Sequence, residues 1–291
     1  MKIVDIPVLS TILPLRLITL NIRYDNPNRD RNEEPWSRRL PKLVASLRFL
    51  TSHNPNAFIC HQEVLHSQLL GLSRELGPEW SHIGIGRDGG DGGEFSPVFY
   101  RPGTWRLEKE RTAWLSPTPD VPSRGWDAVL NRIVTMGLFA HRSTGARVVV
   151  MSTHFDHIGV QARKESAKLI LEFVREWRQG SSSKKPLAVL LGGDFNSTPE
   201  DEGYKTMTAP KSGMLDVREL VDADRRYGNE LTYTSFGNEK PKRIDFLFVT
   251  SDLAIDVSEY GVLPNRFDDG VYISDHRPVV VDLEIPMCRN R

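Results

Sequence analysis

Strand-length apolar runs that stop on polar or charged residues recur along this chain, and they leave few folds open. They are LRLITLNIR (15–23), NAFICHQEV (56–64), SHIGIG (81–86), SPVFYR (96–101), NRIVTMGLFAHR (131–142), ARVVVMSTHFD (146–156), PLAVLLGGDFN (186–196), KRIDFLFVT (242–250) and HRPVVVDLEI (276–285). Some alternate, and some are continuously apolar, the pattern of strands buried on both faces. Helical spacing is rarer. Leu40, Leu43, Val44, Leu47 and Leu50 form one stripe between Trp36 and about Thr51, and Leu169, Ile170, Phe173, Val174 and Trp177 form another between Val160 and Arg178. A third helix is expected over 66–76. Many strands with a few amphipathic helices predict sheet layers covered by helices. The mixed strand patterns argue against a purely parallel doubly wound sheet or barrel.

Strand-like runs continue on both sides of every loop, so the reading is a single domain over 1–291, with 1–14 as an N-terminal extension. The polar stretch Ser181-Ser-Ser-Lys-Lys reads as a loop, and GRDGGDGGEF from Gly86 as a flexible hairpin-type turn. No run approaches the roughly 18 apolar residues of a membrane span. Asp5 and two prolines interrupt the mildly apolar start, and no small-residue cleavage site follows, which reads against a signal peptide. Lys+Arg and Asp+Glu are both 38, so no bulk basic field is present for gripping nucleic acid. Two cysteines, Cys60 and Cys288, allow neither a disulfide framework nor a zinc spacing, and Cys60 reads as a buried thiol. Together these point toward an intracellular protein.

The residues that end the strands carry chemistry. They are Asn21, Gln62-Glu63, His154, Asp194 with Asn196, Asp245, and Asp275-His276. Side chains alternate in a strand, so Asp194 and Asn196 share a face while Phe195 points away, and Asp245 lies opposite Ile244 and Phe246. The acids Glu63, Asp194 and Asp275 offer the oxygen ligands that magnesium prefers. Asn21 and Asn196 can orient a water or a phosphate oxygen without adding charge. His154 and His276 can donate protons or act as bases near neutral pH. Each needs a carboxylate to fix its tautomer, and Asp245 and Glu94 are available. The set fits metal-assisted hydrolysis of a phosphate ester by in-line water attack.

The motifs LNIR, QEV, STHFD, GGDFN, RIDF and SDHRP, in this order between about 15 and 285, resemble those of the endonuclease/exonuclease/phosphatase superfamily. The resemblance implies an α/β fold: a four-layer sandwich in which two facing mixed β-sheets are flanked by helices. It implies Glu63 as principal metal ligand, Asp275 as second metal-side acid and Asn21 close by. Asp194 would position or deprotonate the attacking water, and Asn196 would hold the phosphate. His276 would contact the phosphate and be oriented by Asp245. His154 would be the other catalytic imidazole with Glu94 as its carboxylate partner, and Arg132 would contact phosphate. Asp156, on the face of His154, is a candidate substrate contact. His61 shares a face with Glu63 by alternation and reads as a core residue. Arg38, Arg39 and Arg163 read as surface or helix-face charges, with a phosphate contact by one of them as the alternative, and Trp36 and Trp126 read as core, with a place beside the cleft as the alternative.

The implied activity is a magnesium-dependent phosphodiesterase or nuclease, with manganese able to substitute. Its partner would be a phosphate ester: a nucleotide, a nucleic acid or a small phosphodiester. The alternatives are a phosphomonoesterase for a sugar, inositol or lipid phosphate, and a non-catalytic binding scaffold. GGDFNSTP and PKRID lack the tryptophan, arginine and WCDR elements of inositol polyphosphate 5-phosphatases. No lysine follows Gln62-Glu63 as in abasic-site endonucleases. Gly92 stands where pancreatic-type deoxyribonucleases carry a groove-inserting aromatic.

Overall fold

The computed structural model describes residues 11–179 and 185–287. In chain order its elements are β1 (Thr11–Asn21), α1 (Trp36–Thr51), β2 (Phe58–Gln62), α2 (His66–Leu76), β3 (Ser81–Ile83), β4 (Val98–Tyr100), β5 (Trp105–Trp114), β6 (Ile133–His141), β7 (Arg147–His154), α3 (Val160–Arg178), β8 (Ala188–Asp194), α4 (Glu202–Met207), β9 (Met214–Asp216), β10 (Arg226–Gly228), β11 (Asp245–Thr250), β12 (Asp256–Val262) and β13 (Val279–Met287). The strands build a seven-stranded sheet, ordered β10-β12-β13-β1-β2-β4-β3, and a six-stranded sheet, ordered β5-β6-β7-β8-β11-β9. Both are mixed: β1–β2 and β7–β8 pair parallel, whereas β1–β13 and β8–β11 pair antiparallel.

Strand alternation sorts the side chains into layers. Leu13, Leu15 and Leu17 of β1 join Val148, Val150, Leu190, Leu247 and Val281 in a core between the sheets. The alternate residues Ile18 and Leu20 pack on Leu40, Leu43, Leu47, Leu69 and Leu72 of α1 and α2. On the far side, Val149, Met151, Val189, Leu191, Phe246 and Phe248 meet Ile170, Phe173, Val174 and Trp177 of α3. The result is helix, sheet, sheet, helix, the four-layer sandwich that the motifs imply.

The three expected helices are present, and α4 is added to them. The strands are trimmed, and Asp245 opens its strand rather than interrupting it. β5, β9, β10 and β12 carry no strong apolar run and were not expected. Residues 11–14, assigned to an extension, pair with Met287–Glu284 as the start of β1. Residues 1–10, the loop residues 181–184 and Cys288 lie outside the described residues. Cys60 is a buried free thiol. Arg39 is no surface charge: it is 1% exposed and donates to the carbonyls of Glu34, Ile22, Ile273 and Arg23, tying α1 to the end of β1. Trp126 is exposed rather than packed in the core. Among the described residues, no helix is long and apolar enough to cross a membrane.

The sheets close tightly where β8 ends. A Cβ on Gly192 would sit 3.1 Å from Thr19 Cβ and 3.1 Å from Cys60 Cβ of the facing sheet, so any side chain there would force its neighbours to shift. Gly192→Val should therefore lower unfolding stability by about 1–3 kcal/mol through overpacking. A urea unfolding midpoint unchanged in that variant would show that the two sheets are not in contact at this point.

Candidate active site

The register of three adjacent strands builds the floor of the site. His154 of β7 pairs with Asp194 of β8, and Asp194 pairs with Asp245 of β11. All three take the inward positions of their strands, as Val150, Leu190 and Leu247 do further in. Where apolar packing ends, this row continues it with an imidazole and two carboxylates. β1 brings Asn21 to the same end from the facing sheet, beside Gln62 of β2.

Alternation would aim Glu63 at the helix layer with His61, and this is corrected. β2 stops at Gln62, and Glu63 adopts φ 59°, which turns its carboxylate back toward the intersheet face. There Asn21 Nδ2 donates to Glu63 Oε1 at 2.9 Å and to Asp194 Oδ2 at 3.0 Å. Tyr24 N donates to Glu63 Oε2 at 3.2 Å. Asn21 Oδ1 accepts from Arg23 N at 2.9 Å, so this side-chain amide is fixed and positions carboxylates from both sheets. His61 stays in the core, its Nδ1 3.0 Å from Leu20 O.

His276 reaches the row from the loop before β13. Its Nδ1 is 2.8 Å from Asp245 Oδ2, and its Nε2 is 3.7 Å from Asp194 Oδ2. Burial alone would lower its pKa, but Asp245 and Asp194 outweigh that and raise it to about 10. Asp194 is pushed up to about 7 by burial and by the Asp245 charge. His154 is driven well below its ordinary value by burial, with Arg132 and Arg87 adding to the effect. Its Nε2 lies 3.0 Å from Asn196 Nδ2, an amide that also donates to Phe155 O at 3.0 Å. Asn196 holds φ 44°, and its backbone N–H donates to Asp194 Oδ1 at 2.9 Å.

Asp275 is buried beside these groups, its Oδ1 accepting from Ser274 Oγ at 3.2 Å. Burial raises its pKa, and the Glu63 charge adds to that. Burial also opposes ionisation of Glu63, but Arg23, the Asn21 amide and the other neighbours hold its pKa below the usual carboxylate value. Glu63, Asp194, Asp275, His154, Asn196 and His276 all line one cleft of about 1080 Å³.

Other expected residues fall differently. Glu94 does not pair with His154. It bonds Arg87 at 2.7 Å, because the hairpin places Arg87 opposite it, and His154 Nδ1 is left without a partner. Burial and the Glu63 charge raise the Glu94 pKa to about 7. Trp114 Nε1 donates to Arg87 O, which ties the Gly-rich hairpin to the end of β5. Arg132 lines the cleft, 3.5 Å from Asp156 Oδ2. Asp156 does not line it. Its carboxylate accepts backbone N–H groups from Val129, Leu130, Ile158 and Gly159, which organises two loops. Asp245 and Asn21 lie beneath the cleft rather than in its wall. Arg163, expected on a surface, is buried and lines it.

Sequence reasoning missed Arg23, Arg87, Tyr24, Tyr233 and Lys242, which also line the cleft. Arg23 had a signal, since it follows the strand-end Asn21 by two residues. Arg87 sat inside a turn that reads as mere punctuation.

Residues 18–276 match the model of the Endonuclease/Exonuclease/phosphatase family. A solved endonuclease/exonuclease/phosphatase from Bacteroides vulgatus is 35% identical with a TM-score of 0.82, covering 94% of this chain and 99% of that one. The mannosyl-6-phosphatase Bt3783 of Bacteroides thetaiotaomicron is 33% identical with a TM-score of 0.81, covering 92% of this chain and 99% of that one. The uncharacterized protein L388 of Acanthamoeba polyphaga mimivirus is 26% identical over 200 residues, 64% of this chain and 69% of that protein.

The two imidazoles should titrate apart. In metal-free protein His276 is expected to stay protonated until the pH approaches about 10. Its folded pKa lies above the unfolded value, so the stability it contributes is full below the unfolded pKa and is lost as pH rises toward about 10. Asp245→Asn should pull the His276 titration down. Nitrogen-15 NMR of the ring reads this directly, and an unmoved titration would show that the Asp245 carboxylate does not hold the cation.

Proposed function

Because this chain belongs to the Endonuclease/Exonuclease/phosphatase family and is a metal-dependent hydrolase of phosphate esters, we propose that it cleaves the phosphate monoester of a small, hydroxyl-rich carrier such as a sugar phosphate. The observation that carries this reading is the lining of the cleft. Most of the residues that line it are charged or hydrogen-bonding, and they include two tyrosines, Tyr24 and Tyr233, but no phenylalanine or tryptophan. Such a wall suits hydroxyl groups. It offers little of the aromatic stacking on which single-stranded nucleic acids are bound. The Tyr233 ring also lies against His276, with centroids 5.0 Å apart. The 33% identity to a mannosyl-6-phosphatase over nearly the whole of both chains supports the same choice.

The donor set fits a divalent metal. Glu63 and Asp275 are both cleft-lining carboxylates, each within the other's field, and such a pair favours a hard cation over mutual repulsion. Asp194, Asp245 and His276 also bring ligand atoms within 4.8 Å of one another. That imidazole, however, is held protonated with its Nδ1 on Asp245, which suits proton donation better than coordination. We therefore place the metal, magnesium by its preference for carboxylate oxygens, at Glu63 and Asp275. When bound, it would polarise the phosphoryl group as a Lewis acid. Asp194, with a pKa near 7, is suited to take a proton from the attacking water. Asn196 and Arg132 hold phosphoryl oxygens, and His276 donates to the oxygen that gains charge.

A diesterase, ranked first from the motifs, remains the second reading. The cleft volume of about 1080 Å³ favours it, since it leaves room for a second ester arm. Comparing p-nitrophenyl phosphate with bis(p-nitrophenyl) phosphate decides between them, followed by phosphate release from mannose 6-phosphate. The monoester should win by about tenfold or more in kcat/KM, and the reverse ratio would favour the diesterase. EDTA should abolish turnover and magnesium restore it; no activity under either condition would leave a binding scaffold. Asp194→Asn should cost about 10²–10⁴-fold in kcat with little change in unfolding midpoint. Ordinary turnover in that variant would remove Asp194 from the chemistry.

A further inference from the structure

Four arginines line the cleft, and three have carboxylate partners. Arg23 meets Asp30 at 2.9 Å and Glu33 at 3.5 Å, Arg87 meets Glu94 at 2.7 Å, and Arg132 meets Asp156 at 3.5 Å. Arg163 has no carboxylate within 4.0 Å among the described residues, although it is only 8% exposed. Lys242 likewise has none, but its side chain is exposed. Among the described residues, the one side-chain hydrogen bond of Arg163 runs from Nη1 to Asp156 O at 3.2 Å. Asp201, which also lines the cleft, commits its Oδ2 to Thr198 N at 2.7 Å and Thr198 Oγ1 at 3.1 Å.

Nothing about the helix explains this cation. Arg163 lies in the first turn of α3, where the macrodipole favours acids and disfavours bases. Asp127 meets that preference by accepting from Gln161 N and Ala162 N. Arg163 Nε and Nη2 are not among the buried nitrogens left without a partner, so in the cleft they are free to donate to an anionic ligand. Its neighbour indicates which ligand. Asn196 Nδ2 is anchored on Phe155 O and Arg163 Nη1 on Asp156 O, consecutive carbonyls of one loop, so amide and guanidinium share a wall of the cleft.

We propose that Arg163 binds the phosphoryl group beside Asn196 and reads its second negative charge, selecting a monoester dianion over a diester monoanion. This rests on the monoester reading above. A phosphate monoester has a second pKa of about 6 and is doubly charged at pH 8, whereas a diester stays singly charged. An additional buried cation therefore favours the monoester without any contact to the carrier.

The test is calorimetric binding of inorganic phosphate and of dimethyl phosphate to the magnesium-loaded chain at pH 8. Arg163→Gln should weaken inorganic phosphate by about 30-fold, the loss of one charged hydrogen-bonded partner, and dimethyl phosphate by less than about threefold. Equal weakening of both, or of neither, overturns the proposal. Arg163→Lys keeps the charge and loses the anchor on Asp156 O; it should bind inorganic phosphate within about tenfold of the parent. A lysine variant as weak as the glutamine variant would reassign Arg163 to holding the loop. The monoester reading is tested separately by the parent's turnover ratio. A parent that prefers diesters, with the selective loss in Arg163→Gln intact, would overturn that reading and leave the dianion site standing.

Discussion

One buried amide nitrogen holds this site together. Asn21 Nδ2 donates at once to Glu63 Oε1, on its own sheet, and to Asp194 Oδ2, on the facing one. Without a donor between them, two buried carboxylates at that separation would repel in a medium that screens charge poorly. With it, the ends of the two sheets are fastened at one point. Glu63 and Asp194 then stand on either side of a group that carries no charge. The sheets can come this close because Gly192 presents no side chain to Thr19 and Cys60.

That fastening is held with backbone strain. Glu63, Arg23 and Asn196 have φ of 59°, 58° and 44°, values that ordinary side chains rarely adopt. Each lies just beyond the end of a strand, and each re-aims a polar group. Glu63 is turned off the helix-facing side, Arg23 brings its N–H to Asn21 Oδ1, and Asn196 brings its N–H to Asp194 Oδ1. Strain of this kind persists only where the surroundings over-determine it, and here the two sheets and their hydrogen bonds do so.

The same feature marks the limit of what the sequence discloses. Elements with a strong one-sided or two-sided apolar pattern could be read from it, and the stripes of α1 and α3 end where the helices end. β5 could not, because WRLEKERTAW is buried mainly at its ends and lies at the edge of its sheet. In the site, residues at regular strand positions were legible one by one: His154, Asp194 and Asp245 could be named, and the strand register of the structure sets them in one row. Glu63 was named for its chemistry, but its direction was misread, since a positive φ has no periodic signature. The pairing expected between Glu94 and His154 failed for a related reason. The register of a glycine-rich hairpin sets Arg87 against Glu94, and composition alone does not specify a register.

The two histidines show how environment assigns roles that residue type cannot. Asp194 Oδ2 lies 3.4 Å from His154 Nε2 and 3.7 Å from His276 Nε2, so one oxygen faces both rings. His276 has carboxylates at both nitrogens and is held as a cation. His154 is held neutral by burial, with the Arg132 and Arg87 guanidiniums adding to the effect. The Asn196 amide donates to Nε2 of His154, which puts that ring's proton on Nδ1, the atom left without a partner. A neutral ring in this tautomer is an acceptor at the cleft, and the bond it accepts fixes the Asn196 amide in the cleft wall. Protonating His154 would put two donors head to head and release Asn196. The low pKa of one ring and the high pKa of the other are therefore a single arrangement: a donor on one side of Asp194, and on the other an acceptor that keeps Asn196 in place.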